Sequence, residues 1–319
     1  MIKNFLKNNP IHKKIVPFLD VFFLCKPLNF FSYWSIICIG MYLPLFLSNN
    51  SPLFITDFNY QFFCLFISLS LILCCYNVKK QLLDLNSSKR NVINLVKNKY
   101  SEDFIYNMVK YLLFISIIFI FFVSWANLIV GVLLIILNLS DLENKISKKH
   151  FYPFIYEFTI VLLFFISGLI YISFRNNFIY NVQVIIYLIP YLCFYLSIYL
   201  ISDIMNNSTD KNSSILKDKG IFISNILMSI GLLLAVKLND PLSSICIVVS
   251  FPFFLYALLR NLKKDIQRAF IYPIFIVNFF IIRVFPYLAI PSLVLFYLSK
   301  YYNWHRFDYH YPTFLVEND

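Results

Sequence analysis

The sequence predicts an all-α, polytopic membrane protein of about nine transmembrane helices, and three observations predict it. The 319-residue chain is 60% hydrophobic and only 13% charged, more apolar surface than a soluble domain can hide. Apolar runs long enough to cross a bilayer, about 20 residues each, recur along the whole length. Lysine and arginine, finally, crowd into alternate loops, as the positive-inside rule requires of helices crossing back and forth.

The elements follow in order. Apolar segments fall at roughly 30–48, 59–78, 104–123, 125–139, 152–174, 179–201, 220–236, 241–259 and 269–299. The fourth is short. The ninth is long and holds Pro286 and Pro291, so a kink or break is expected inside it. Residues 1–29 are expected to form a cytoplasmic, or interfacial, N-terminal segment, 30–300 the transmembrane domain and 301–319 a C-terminal tail. Lys3, Lys7, Lys13 and Lys14 precede the first long run and no small-x-small cleavage site follows, so the N-terminus is expected to be retained.

Basic residues gather after span two (Lys79, Lys80, Lys89, Arg90, Lys97, Lys99), span four (Lys145, Lys148, Lys149), span six (Lys211, Lys217, Lys219) and span eight (Arg260, Lys263, Lys264, Arg268), while the opposite loops hold little beyond Arg175 and Lys237. Nine spans then place the N-terminus in the cytoplasm and the C-terminus outside, in a membrane expected to be the bacterial cytoplasmic one. The formal charge of +11 is accounted for by topology and by attraction to anionic lipid headgroups, so no nucleic-acid partner is expected. The seven cysteines show no CxxC spacing and read as small buried hydrophobes, neither a disulfide framework nor a zinc site.

Two stretches could carry chemistry. After span six, Asp203, Asn206 and Asp210 recur at i, i+3 and i+7, one helical face. At the end of span two, Asn77, Gln81 and Asp84 recur at i, i+4 and i+7, followed by Lys89-Arg90. A solvated helix end rich in Asn and Asp would give the same spacing. Oxygen donors beside basic residues are, however, what a hard divalent cation and a diphosphate need, since Mg²⁺ takes oxygen ligands and shares them with substrate phosphates. Inside the spans, Lys110, Glu157 and Arg283 are expensive in hydrocarbon. Lys110 and Glu157 are read as snorkelling from near span ends, and Arg283 as mid-span.

At these residues the chain resembles the UbiA superfamily of intramembrane prenyltransferases. Asp203, Asn206 and Asp210 are similar to that family's second aspartate-rich motif, D-x-x-D-x-x-x-D, with Asn in the middle place, and Gly220 stands where a Gly opens its seventh helix. Asn77 matches the start of the first motif, N-x-x-x-D-x-x-x-D. Gln81 replaces that motif's first Asp, and Asp84 comes one residue before its last. Lys26-Pro27-Leu28-Asn29, with Gly40 downstream, resembles the R-P-x-N…G opening of the first helix, and Lys148 or Lys149 before Pro153 resembles the basic segment ahead of the fifth. The tail Tyr301-Tyr302-x-x-x-Arg306-Phe307-x-x-x-Tyr311-Pro312 is similar to the end of many bacterial members.

The resemblance implies a UbiA-like helical bundle that transfers a prenyl group, with Mg²⁺, from an allylic prenyl diphosphate to a small or lipid-linked acceptor. Asp84, Asp203 and Asp210 would be the catalytic carboxylates and, with Asn206, the metal ligands. Asn77, Gln81, Arg90, Lys148, Asn206 and Asn29 would bind substrate. Three carboxylates in place of as many as five also leave a non-catalytic paralogue open. A transporter or flippase of lipid-linked substrates would share the span count and basic loops. It would not need matched Asp/Asn stripes at two helix ends, and an inverted-repeat transporter would place a second proline-interrupted span in the first half.

Overall fold

A long apolar run in hydrocarbon must satisfy every backbone N–H and C=O internally, and a helix does so within one segment. The computed structural model, which describes residues 10–48, 59–83, 102–139, 152–176, 182–207 and 213–307, accordingly contains helices and no strands among the described residues. They are α1 (Pro10–Leu24), α2 (Phe30–Leu47), α3 (Tyr60–Leu83), α4 (Glu102–Phe121), α5 (Trp125–Leu139), α6 (Tyr152–Asn176), α7 (Val182–Asn207), α8 (Ser213–Lys237), α9 (Pro241–Arg260), α10 (Lys263–Val284) and α11 (Ala289–Phe307). Eight of the described helices are long and apolar enough to cross a membrane, and Trp125–Asn138 is a shorter apolar helix. The chain is a multi-pass α-helical membrane protein.

The expected break in the last apolar segment is present. α10 ends at Val284, a 3-10 turn covers Pro286–Leu288, and α11 begins at Ala289. Proline lacks the N–H that would continue the α10 ladder, and its ring would clash with the carbonyl four residues back. One expectation changes with this break. Arg283 is not mid-span: it stands exposed in the last turn of α10, where a cation faces the negative end of the helix dipole.

The chain divides into two compact units. The first comprises Met1–Gly40, Thr56–Arg175 and Tyr287–Pro312. In it α3 packs along α4, α5 packs on both, and α11 packs on α1 and on the 3-10 turn Pro27–Asn29. Gly40 and Gly168 let α2 and α6 meet backbone to backbone. A Cβ on Gly40 would run into the carbonyl oxygen of Phe165, and one on Gly168 into that of Ile37. Close approach through small residues is how membrane helices gain van der Waals contact where lipid removes the hydrophobic drive. Trp34 Nε1 donates to Ser70 Oγ at 2.9 Å, tying α2 to α3.

α11 runs the length of this unit. Tyr287, just before it, meets Phe62 at the N-terminal end of α3 edge-on at 4.9 Å. Fifteen residues on, roughly 20 Å along a helix, Tyr302 stacks on Phe23 of α1 at 4.1 Å. The end of α11 thus lies with α1, at the end of the unit where the last turns of α3 also lie. The ninth apolar segment is two helices.

The second unit comprises Met41–Ile55, Asn176–Pro286 and Thr313–Asp319. Helices α7 to α10 pack in sequence, with α10 also returning to α7. Polar side chains join them inside the apolar pack: Ser197 Oγ donates to Ser224 O at 3.0 Å, and Asn225 Nδ2 to Phe254 O at 3.0 Å. Asp240 caps α9, its Oδ1 accepting from Leu242 N at 3.2 Å and from the Tyr42 hydroxyl at 3.2 Å. Asn261, in the left-handed conformation at φ 49°, ends α9 and starts the two-residue link to α10.

Candidate functional site

The chain leaves α1 through a turn that only a left-handed residue can make. Lys26 sits at φ 47°, and Pro27 then opens the 3-10 turn Pro27–Asn29 with a φ already suited to it. That turn aims Asn29 at the end of α3, and Asn29 Nδ2 donates to Asn77 Oδ1 at 3.2 Å. Asn77 is buried, and its own Nδ2 donates to the main-chain carbonyl of Cys25 at 2.9 Å. Two of the residues singled out in sequence, from two different motifs and 48 positions apart, are therefore joined directly. The amide of Asn77 bonds on both sides: it holds the 25–29 turn and receives Asn29. Its oxygen has two lone pairs, one of them used.

Two positions later, Lys79 Nζ donates to the carbonyl of Asn138 at 3.2 Å, placing a cation at the C-terminal end of α5, where the orphan carbonyls and the helix dipole favour it. Lys79, predicted only as a topology residue, holds helices together.

The remaining predicted residues divide cleanly. Gln81 lies on α3, four residues after Asn77, and Asp203 and Asn206 lie in the last turns of α7, three residues apart. Those spacings are helical, as expected, while the side chains of all three are outside the described set. Asp84, Arg90, Lys148 and Asp210 lie outside the described residues altogether, as does the basic loop holding Lys149. Lys110 is exposed on α4. Gly220 does not open its helix: α8 starts at Ser213, and a Cβ there would meet only Ile204 Cδ1 at 2.7 Å, the flexible tip of a side chain. Among the described residues no three His, Cys, Asp or Glu side chains gather as a metal site. The expected carboxylate ligands are among the residues just named, so the metal expectation stands on its donor chemistry, which suits a hard cation.

Sequence reasoning passed over a second polar centre in the first unit. Asp20, 3% exposed, accepts from the Tyr302 hydroxyl at 2.7 Å and pairs with Arg306 at 3.2 Å. The signal was present in part, because a lone carboxylate within an apolar helix needs a partner and the tail pattern had drawn attention to Tyr302 and Arg306. Nearby, a cavity of about 330 Å³ is lined by Tyr297, Lys300, Tyr301 and Trp304 of α11, none of them a predicted site residue.

Comparison with protein families, with curated proteins and with solved structures finds no match.

Proposed function

We propose that the protein transfers a prenyl group from an allylic prenyl diphosphate to a small or lipid-linked acceptor within the membrane, in a Mg²⁺-dependent reaction of the UbiA type. The observation that supports this best is the hydrogen bond from Asn29 to Asn77 at 3.2 Å. The K-P-x-N turn and the first polar stripe were picked out separately in sequence, and they meet at one end of the first unit. A multi-pass helical bundle and the helical spacing of Asp203 and Asn206 support the same reading.

In this mechanism Asp84, Asp203, Asn206 and Asp210 would hold Mg²⁺, which would supply charge compensation to the leaving diphosphate. Arg90 and Lys148 contact the diphosphate oxygens directly, by charge-assisted hydrogen bonds. Asn29 and Gln81 orient the head of the substrate, and Asn77 fixes Asn29 through the bond described above. The C–O bond to the diphosphate breaks heterolytically, leaving an allylic cation that Tyr and Phe faces stabilise by cation–π attraction away from water. An acceptor nucleophile then captures the cation and loses a proton. The protein works in the bacterial cytoplasmic membrane with its N-terminus and polar loops in the cytoplasm.

Prenyl-transfer assays in membranes, with an acceptor panel and with or without chelator, test the proposal. The expected result is divalent-dependent transfer that disappears in Asp203→Asn and Asp210→Asn. Wild-type rates in both variants would overturn it. Absence of turnover with every diphosphate and acceptor would favour a non-catalytic paralogue.

A further inference from the structure

The link between α9 and α10 in the second unit holds a charge arrangement that prenyl transfer does not use. Asp265, in the first turn of α10, is 2% exposed. Arg268 Nη1 pairs with its Oδ1 at 3.0 Å, and Arg260 Nε lies 3.4 Å from its Oδ2. The side chains of Arg260 and Arg268 are nevertheless 55% and 41% exposed. Arg268 is thus hydrogen-bonded to the buried carboxylate and Arg260 stands in ion-pair contact with it, while much of each side chain faces outward. Lys263 and Lys264 stand between them in sequence, giving four cations and one anion within nine positions. The exposed apolar side chains Tyr256, Leu259 and Leu262 flank the cluster. The cluster sits at the junction of two helices long and apolar enough to cross a membrane, Pro241–Arg260 and Lys263–Val284, and the end of a crossing helix lies at headgroup depth.

We propose that Arg260, Arg268 and the Asp265 that orients them form a binding site for the phosphate of an anionic membrane lipid. Planar guanidinium forks match phosphate oxygens two at a time, and the Arg268 fork, already held by a hydrogen bond to a buried carboxylate, loses less conformational entropy on binding. Tyr256, Leu259 and Leu262 enter the acyl region beside the bound lipid. A bilayer is the source of the ligand because the cluster's flanks are apolar and the helices on either side are membrane-crossing ones.

Native mass spectrometry of the full chain in micelles doped with phosphatidylglycerol or phosphatidylcholine reads this out. The expected result is preferential retention of phosphatidylglycerol, lowered roughly 25-fold in R260Q/R268Q at about fivefold per charge. Lys237→Gln with Arg175→Gln, an equal loss of charge elsewhere, is expected to leave retention unchanged. Asp265→Asn separates a built site from a diffuse positive field: the site predicts severalfold weaker retention, whereas charge alone predicts stronger. R260K/R268K, which keeps charge and removes the forks, decides the same point should Asp265→Asn fail to fold, and is expected to bind severalfold more weakly than the native chain. Undiminished retention in R260Q/R268Q or R260K/R268K, or a gain in folded Asp265→Asn, would overturn the proposal. Displacement of the lipid by millimolar sodium diphosphate would overturn it too, by making the cluster a soluble-phosphate site.

Discussion

Asn77 donates its side-chain amide to the main-chain carbonyl of Cys25, 52 residues away, at 2.9 Å, while its oxygen receives Asn29. One buried side chain thereby satisfies a carbonyl that the turn after α1 removes from the helical ladder. An unmade hydrogen bond to a buried group costs its desolvation, about 1–3 kcal/mol. Asn77→Ala should therefore lower stability by about that amount. Asn29→Ala, at an exposed position, should cost less than about 1 kcal/mol. Thermal unfolding in detergent measures both; equal losses would show that the strut is not Asn77.

The crossing of α2 and α6 depends on two glycines facing backbone. Added methyl groups at Gly40 or Gly168 would meet carbonyl oxygens that cannot rotate away, so Gly40→Ala and Gly168→Ala should each destabilise by about 1–3 kcal/mol or more. Gly131→Ala and Gly220→Ala meet only the side-chain tips of Ile120 and Ile204 and should be near neutral. The four melting temperatures, compared in one detergent, check the contrast.

These residues also show how far the sequence could be read. Helices were legible because hydrocarbon leaves long apolar runs one backbone solution, and Pro286 announced its own break. Gly40 was noticed as part of a motif, but its reason, contact with Phe165, lies 125 positions away and leaves no local trace. Asn77 was expected to serve a ligand and is found bonded to the 25–29 turn, because an amide at a helix end suits either task. Arg283 was misplaced because hydropathy sees one apolar segment where backbone chemistry makes two helices. Asp20 was missed because its partners are more than 280 residues distant.

Asp20, Tyr302 and Arg306 tie the two ends of the first unit's chain together. Removing Arg306 leaves a buried carboxylate with one neutral donor, whereas Asp20→Asn removes the charge itself. Breaking a buried pair costs about 3–5 kcal/mol. Arg306 is 34% exposed, so water screens the loss, and Arg306→Ala should fall below that range, near about 2 kcal/mol. Asp20→Asn should be milder, and Tyr302→Phe should cost about 1–3 kcal/mol. Unfolding curves in which Asp20→Asn is the most damaging of the three would contradict the assigned order.

The packing of α11 on α1 makes a topological prediction. Lys14→Cys and Arg306→Cys, both at exposed positions, should be labelled from the same side of the membrane in a cysteine-free background. On the proposed orientation, drawn from the positive-inside rule, that side is the cytoplasm, so an impermeant maleimide should reach both in inverted vesicles and neither in intact cells. Labelling of the two from opposite sides would mean that the end of α11 does not lie with α1.

Charge compensation at the proposed metal separates the two polar stripes. The second keeps its carboxylates, Asp203 and Asp210, at the spacing of the motif it resembles; the first has Gln81 where that motif has Asp. An amide oxygen still coordinates Mg²⁺ but brings no negative charge, so the cation should bind more weakly than with a full carboxylate set. Gln81→Asp restores an anionic oxygen on the helical face of Asn77, four residues away. It should therefore lower the Mg²⁺ concentration needed for half-maximal transfer while the maximal rate stays within a few-fold. Asp203→Asn and Asp210→Asn should instead remove transfer at every Mg²⁺ concentration, with melting temperatures unchanged. Rates measured across a Mg²⁺ titration decide between the cases. A Gln81→Asp variant needing more Mg²⁺ than the native chain would mean that the α3 stripe does not face the metal.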